Sequence, residues 1–208
     1  MTADPHAPQL ADRRGPYRGE TRRAEILAGL ADLIEQRRFD EISVADISAA
    51  AGVKRNTFYF YFANKSVAVA ALLSDLFTEM FAGTAPFIAH AGDPHDNVKS
   101  GIDNVVASWQ RHTNLYMAIL DARHTDAAVQ QFWDDWLAQF VGPIAEAIEV
   151  ERESGRARPG PDATTLTVTL IGMNVSLLDR IGRSGFTPES TEGARQSLFH
   201  IWYHAIYG

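Results

Sequence analysis

The stretch Ser43–Lys65, SVADISAAAGVKRNTFYFYFANK, constrains the fold of this chain more than any other. Ser43 is a good N-cap, and Asp46 stands three residues on in a capping-box place, where Glu or Gln is usual. Val44, Ile47 and Ala51 give the helix that follows an inner face, and Gly52 ends it as a left-handed residue does. Ala49, Ala50 and Ala51 are small enough to let another helix approach closely. Val53 is a buried anchor for the turn, and a second short helix is expected over about Arg55 to Tyr61. Two helices joined by a tight turn, the second polar at its start, have the layout that enters the DNA major groove.

The residue types of the second helix suit that task. Arg55 can pair with guanine, Asn56 with adenine, and the Thr57 methyl can touch a thymine methyl. Lys54 stands beside them, while Tyr59, Tyr61 and Lys65 are better suited to phosphates. With Ser43 at the head of the preceding helix, these eight residues are the candidate DNA contacts. Phe58, Phe60 and Phe62 cannot all face water, so at least Phe58 and Phe62 are expected to anchor the helix in a core. The competing reading takes TFYFYF as a core segment without a role on nucleic acid. The preceding helix, the Gly turn, the basic start and the Asn64 cap of the next helix together favour the DNA reading.

Charge supports this locally. The whole chain has net charge −7, yet residues 1–65 carry ten Lys and Arg against nine Asp and Glu, and the rest nine against seventeen. A locally basic face on an acidic protein binds phosphate where it docks and is repelled elsewhere. Cysteine is absent, which excludes disulfides and thiolate chemistry. No apolar run reaches the roughly 18 residues of a membrane span, and the polar, Arg-rich N-terminus lacks a secretory core, so a cytoplasmic location is expected.

Along the chain, residues 1–19 mix Pro, Gly and Arg without periodicity and read as a disordered basic arm. Ile26, Leu27, Leu30, Leu33 and Ile34 recur at helical spacing and predict a first helix over about Glu20 to Arg38. After the DNA-reading pair, Val67, Ala71, Leu72, Leu76 and Met80 predict one long fourth helix running to about Phe81. Further helices are expected through Ile102 to Trp109, over about Asn114 to Arg123, Asp126 to Glu153, Asp162 to Gly182, and Pro188 to Tyr207, with the break at Gly155 to Pro161 the clearest. The reading is an all-α protein of about nine helices: a helix-turn-helix domain over 20–65 and a helical ligand-binding and dimerisation domain over 66–208.

ISVADISAAAGVKRNTFYFYFANKSVAVAALL resembles the DNA-binding domain of TetR-type transcriptional regulators. The Gly-Val turn, the Thr-Phe-Tyr helix, the aromatic after it and the Lys opening the next helix carry the likeness. TFYFYF, Met173-Asn174 and the C-terminal HIWYHAIYG look like the ethionamide-resistance repressor (EthR-like) branch. The resemblance implies a homodimer joined through the last two helices of each protomer, binding double-stranded operator DNA that a small molecule releases. A symmetric dimer fits a palindromic operator on physical grounds too, since one three-helix reader touches only a few base pairs.

The second domain has the makings of an apolar cavity. Trp133, Trp136, Leu137 and Phe140 follow i, i+3, i+4, i+7 spacing; Ile102, Val105 and Trp109 share another apolar face; Trp202 lies on the last helix. Asn174 sits among Met173, Leu177 and other apolar residues, where a buried amide needs a partner such as a ligand carbonyl or hydroxyl. Taken singly, each aromatic suits an ordinary core. The resemblance places Trp133, Leu137, Phe140, Asn174 and Trp202 at ligand-tunnel positions, and a small hydrophobic ligand is expected. Val98 and Val105 replace larger aromatics of that branch, and Pro143 replaces a Tyr.

Two other classes compete. A metal-dependent helical enzyme would use His200 and His204, four apart on one helix, with His112 or His124. There is no HExxH, no Gly-rich phosphate loop and no G-x-S-x-G elbow, so no cofactor or metal is expected. A helical interaction protein without DNA binding is the third reading.

Overall fold

The computed structural model describes residues 17–208, which form ten α-helices and one 3-10 turn. The fold is all-α, as expected from the patterning. The expected arm lies outside the described residues through residue 16, and Tyr17 already opens α1 (Tyr17–Gln36). After the 3-10 turn Phe39–Glu41 come α2 (Val44–Ala50) and α3 (Arg55–Tyr61). Ile26, Leu30 and Ile34 of α1, Ile47 of α2 and Phe58 of α3 close a small core, joined by Ile42 and Phe62.

The local chemistry of α2 follows its sequence. The Ser43 hydroxyl accepts from the Asp46 amide at 3.1 Å, and the Asp46 carboxylate accepts from the Ser43 amide at 2.8 Å, a complete capping box with Asp in the third position. At the other end Gly52 has φ 63°, the Val53 amide donates to the Ser48 carbonyl at 2.9 Å and the Gly52 amide to Ala49 at 3.1 Å. That pair of bonds is a Schellman motif, which only a residue at ease with positive φ completes cheaply. Gly29 lets α1 lie against it: a Cβ there would stand 3.0 Å from the Ala51 amide nitrogen.

The single fourth helix expected from the apolar spacing is two. α4 (Lys65–Asp75) and α5 (Phe77–Ile88) meet at Leu76, whose amide turns back to the Leu73 carbonyl at 3.0 Å. One tightened turn of this kind breaks the register without Gly or Pro, and the described residues form ten α-helices where about nine are expected. Pro86 lies inside α5 and does not stop it. Beyond come α6 (Pro94–Arg111), α7 (Thr113–Arg123), α8 (Ala127–Glu153), α9 (Ala163–Ser184) and α10 (Pro188–Tyr207). Asp93, Asp126, Asp162 and Thr187 cap α6, α8, α9 and α10 with their side chains. α4 packs against α1, α7 and α8, and so lies between the DNA-reading unit and the rest.

At the end of the molecule where α5, α8 and α10 finish, Glu151 is buried with an ionic cluster around it. Arg156 gives its carboxylate two hydrogen bonds, at 2.9 and 2.6 Å, and His90 Nδ1 lies 2.7 Å away. His90 holds φ 52° just past the end of α5 to reach it. Arg156 above all, with His90 and Tyr207, pulls the Glu151 pKa from its ordinary value down to about 2, against the opposing effect of burial. Burial, with the Glu151 charge beside it, pushes the Tyr207 phenol up.

Candidate DNA interface and ligand cavity

α3 has two faces. Phe58 is fully buried, Phe62 at its C-cap nearly so, and the Phe58–Phe62 rings stand 5.7 Å apart in the core. Both expected anchors are in place. Lys54, Arg55, Asn56 and Tyr59 are exposed, while Thr57 and Tyr61 are half-buried. The Arg55 guanidinium lies over the Tyr59 ring, 5.6 Å from its centre, and donates to the Tyr59 hydroxyl at 3.2 Å. Ser43 is exposed at the start of α2, its hydroxyl bonded to Asp46 at 2.6 Å. Phe60, for which the spacing gives no place in the core, is 81% exposed.

Lys65 departs from the expectation of a phosphate contact. Its ammonium donates to the carbonyls of Phe39 and Ile42, each at 2.7 Å, and of Asp40 at 3.3 Å. It also sits 4.6 Å from the centre of the Phe39 ring. An ammonium has three donors, and all three are committed to one backbone turn. Burial draws its pKa below the ordinary lysine value, with Asp40 opposing. Lys65 clamps the turn before α2 to the first residue of α4.

The second domain holds a partly open cavity of about 100 Å³ between α5, α6, α8, α9 and α10. Eight of the ten expected ligand residues line it: Ile102, Val105, Trp109, Trp133, Leu137, Phe140, Asn174 and Trp202. Met173 and Leu177 do not; they are half-buried on a different face of α9 from Ile171, Asn174 and Val175, which do line it. The structure adds Trp136 and Ile144 from α8, Asn97 and Val98 from α6, and Met80, Thr84 and Phe87 from α5. Trp136 belongs to the stripe that the i, i+3, i+4 spacing picks out; of the α5 residues only Met80 is marked by its spacing, and that as a helix face rather than a cavity wall.

Polar groups in this wall are few and mostly arranged. The Trp202 indole N–H donates to the Asn174 carbonyl at 2.9 Å, across 28 residues of sequence, so Asn174 has a protein partner. Its amide nitrogen remains a donor beside the cavity. The Trp136 indole N–H is buried without an acceptor among the described residues. Trp133 and Trp136 stack at 5.5 Å, and Phe140 meets Trp136 edge-on at 5.2 Å. No lining side chain carries a charge.

Among the described residues, one group of three possible ligands has its atoms within 4.8 Å, Asp93, His95 and Asp96, all exposed. His200 and His204 lie outside it, their rings 4.4 Å apart on the exposed side of α10. His124 is bonded to the Leu120 carbonyl at 2.6 Å.

Residues 26–72 match the family described as "Bacterial regulatory proteins, tetR family", and residues 98–208 match "Transcriptional regulator EthR, C-terminal domain". The chain is a TetR-family transcriptional regulator. A relative named HTH-type transcriptional regulator EthR, from Mycolicibacterium smegmatis, is 31% identical over 196 residues, covering 91% of this chain and 88% of its own. The Mycobacterium tuberculosis protein of that name is 29% identical over 194 residues, covering 91% and 89%. Among solved structures, a TetR-family regulator from Rhodococcus sp. superposes with a TM-score of 0.69 at 21% identity, covering 90% of this chain and 99% of that one. FadR from Bacillus subtilis, solved in complex with stearoyl-CoA, has a TM-score of 0.70 at 15% identity, covering 88% and 99%.

This TetR-family chain is accordingly a DNA-binding transcriptional regulator and not an enzyme. No helix among the described residues is long and apolar enough to cross a membrane.

Proposed function

We propose that residues 20–65 of two copies read the halves of a palindromic operator, and that residues 66–208 hold the dimer contact and a small apolar ligand that releases the DNA. Arg55, Asn56 and Thr57 meet base edges; Lys54, Tyr59 and Tyr61 meet phosphates, with Ser43 at the head of α2 beside the backbone. The protein works where the operator is, in the cytoplasm, as a repressor.

One observation carries the ligand part. The cavity wall is mostly apolar and uncharged, carries a few polar side chains, Thr84, Asn97, Asn104 and Asn174, and its α8 side begins at a residue tied to the reader. Asn64, the cap of α4, donates to Asp126, the cap of α8, at 3.0 Å. At about 100 Å³ the cavity is smaller than a drug-sized molecule needs. Filling it therefore spreads α5, α6 and α8, and a shift of α8 pulls on α4 beside the reader. The ligand then binds one of two arrangements better and shifts their populations.

The absence of a charged group from the wall favours an uncharged ligand with an acceptor oxygen. FadR regulators of this fold were solved with stearoyl-CoA and lauroyl-CoA; here the mostly apolar wall suits an acyl chain once the cavity is opened, but an anionic head would find no cation on the wall.

Selection from random duplexes at near-physiological salt, followed by release assays with a neutral aliphatic ester, the corresponding free acid and its acyl-CoA thioester, tests the proposal. A palindromic consensus released by the ester supports it. A consensus that only the acyl-CoA releases would reverse the assignment of ligand class, and the absence of a consensus would remove the operator.

A further inference from the structure

We propose that Phe60 is a base-reading residue that selects thymine by packing on its C5-methyl group. The inference rests on the reading of α3 as the DNA-contacting helix and goes beyond the polar contacts assigned to it.

Phe60 is the most exposed large apolar side chain among the described residues. It stands four residues after Asn56, on the same face of α3 and opposite the Phe58–Phe62 face that fills the core. Tyr61 meets the Phe60 ring edge-on at 5.0 Å with an interplanar angle of 85°. Nothing in the fold of the protomer explains keeping a phenyl ring in water at this point. Its neighbours name the occupant. Lys54, Arg55 and Asn56 are exposed at the start of the same short helix and suit a surface lined with phosphates and base edges. In the major groove the apolar feature that a phenyl ring can cover is the thymine methyl, and Phe is one of the side chains that takes this contact.

The contact predicts a specificity that no polar residue of the helix supplies. Each half-site contains a thymine whose replacement by deoxyuridine, which removes only the methyl group, weakens binding. Covering one methyl is worth about fourfold in affinity. Phe60→Ala abolishes that difference and relaxes the preference at the position; Phe60→Leu keeps part of it. The side chain is on the surface, so both variants fold, which a thermal melt confirms.

The experiment takes the consensus selected by the full-length protein, replaces each thymine in turn by deoxyuridine, and measures the affinity of the native chain and of Phe60→Ala for every duplex. A methyl effect at one symmetric position that vanishes in Phe60→Ala is the expected result. A native chain indifferent to deoxyuridine everywhere overturns the inference while leaving the operator reading intact. So does a Phe60→Ala variant that keeps the full methyl effect. Failure of the native chain to select any sequence overturns the reading of α3 itself, and this inference with it.

Discussion

Removing the ammonium of Lys65 separates two physical roles that sequence alone confuses. Lys65→Met keeps the aliphatic stem but strips three carbonyls of their donor: Phe39 and Ile42 at 2.7 Å and Asp40 at 3.3 Å. A hydrogen bond from a charged group contributes about 1.5–3 kcal/mol net. Lys65 is half-buried, so water replaces part of what is removed. The two short bonds then set a cost of about 2–4 kcal/mol, or a fall in Tm of about 5–12 °C for a chain of this size. Thermal melts at matched protein concentration measure it, since dimer formation makes Tm depend on concentration. A lysine that pairs with phosphate behaves differently when it is removed. Tm stays where it was, and the slope of log affinity against log salt falls by about 0.9 for each phosphate no longer neutralised, about 1.8 for a dimer. The expected result is a large fall in Tm with the salt slope of the remaining folded protein unchanged. An unchanged Tm with a slope lowered by about 1.8 refutes the clamp and restores Lys65 to the phosphates.

The Glu151 cluster predicts acid sensitivity. With its pKa held at about 2 against an ordinary 4.5, Glu151 contributes stability that is fully present above pH 4.5 and lost as the pH falls toward 2, about 3 kcal/mol at most. Urea titrations at pH 7 and pH 3 should show Glu151→Gln destabilised at pH 7 and losing less than the native chain on acidification; parallel losses in the two proteins would show that other groups govern the acid limb. Asp126→Ser keeps an N-cap for α8 but is too short to reach Asn64. It should leave ligand-free operator affinity within about twofold while cutting ligand-driven release about fivefold, the worth of one hydrogen bond of about 1 kcal/mol. Undiminished release in a gel-shift titration with the same ligand would mean that the joint transmits nothing.

What the sequence reveals, and what it hides, divides by range. The capping box of α2 and its Gly52 terminus are local devices, and both are readable within ten residues. So is the anchoring of Phe58 and Phe62, because a separation of four puts them on one helical face. The same arithmetic puts Phe60 with Asn56 on the outside, a signal that the alternating look of TFYFYF obscures. Lys65 misleads because its partners lie 23 to 26 residues back in the chain. The aromatic stripe of α8 locates most of the cavity wall. α9 is harder: Leu170 to Leu178 is apolar almost all round, and composition does not tell which of Ile171, Met173, Asn174 and Leu177 turns inward. The break at Leu76 has no breaker residue at all, so periodicity runs α4 and α5 together.

The coupling of cavity to reader can be argued from the same long-range bonds. Asn64 spends its two ends differently: its carbonyl caps α4 by accepting from the Val67 amide at 2.9 Å, and its amide nitrogen holds Asp126. Asp126 in turn accepts from the amides of Ala128 and Val129, the first turn of α8. One residue later than Asn64, Lys65 grips the turn that precedes α2. The start of α4 is therefore bolted on one side to the DNA-reading unit and on the other to the helix that carries Trp133, Trp136, Leu137 and Phe140. A rigid-body displacement of α8 has no slack to absorb it between these two caps. Well-packed interiors pass such strain on rather than dissipate it, so a ligand that forces the cavity open must either break the Asn64–Asp126 bond or carry the reader with α8.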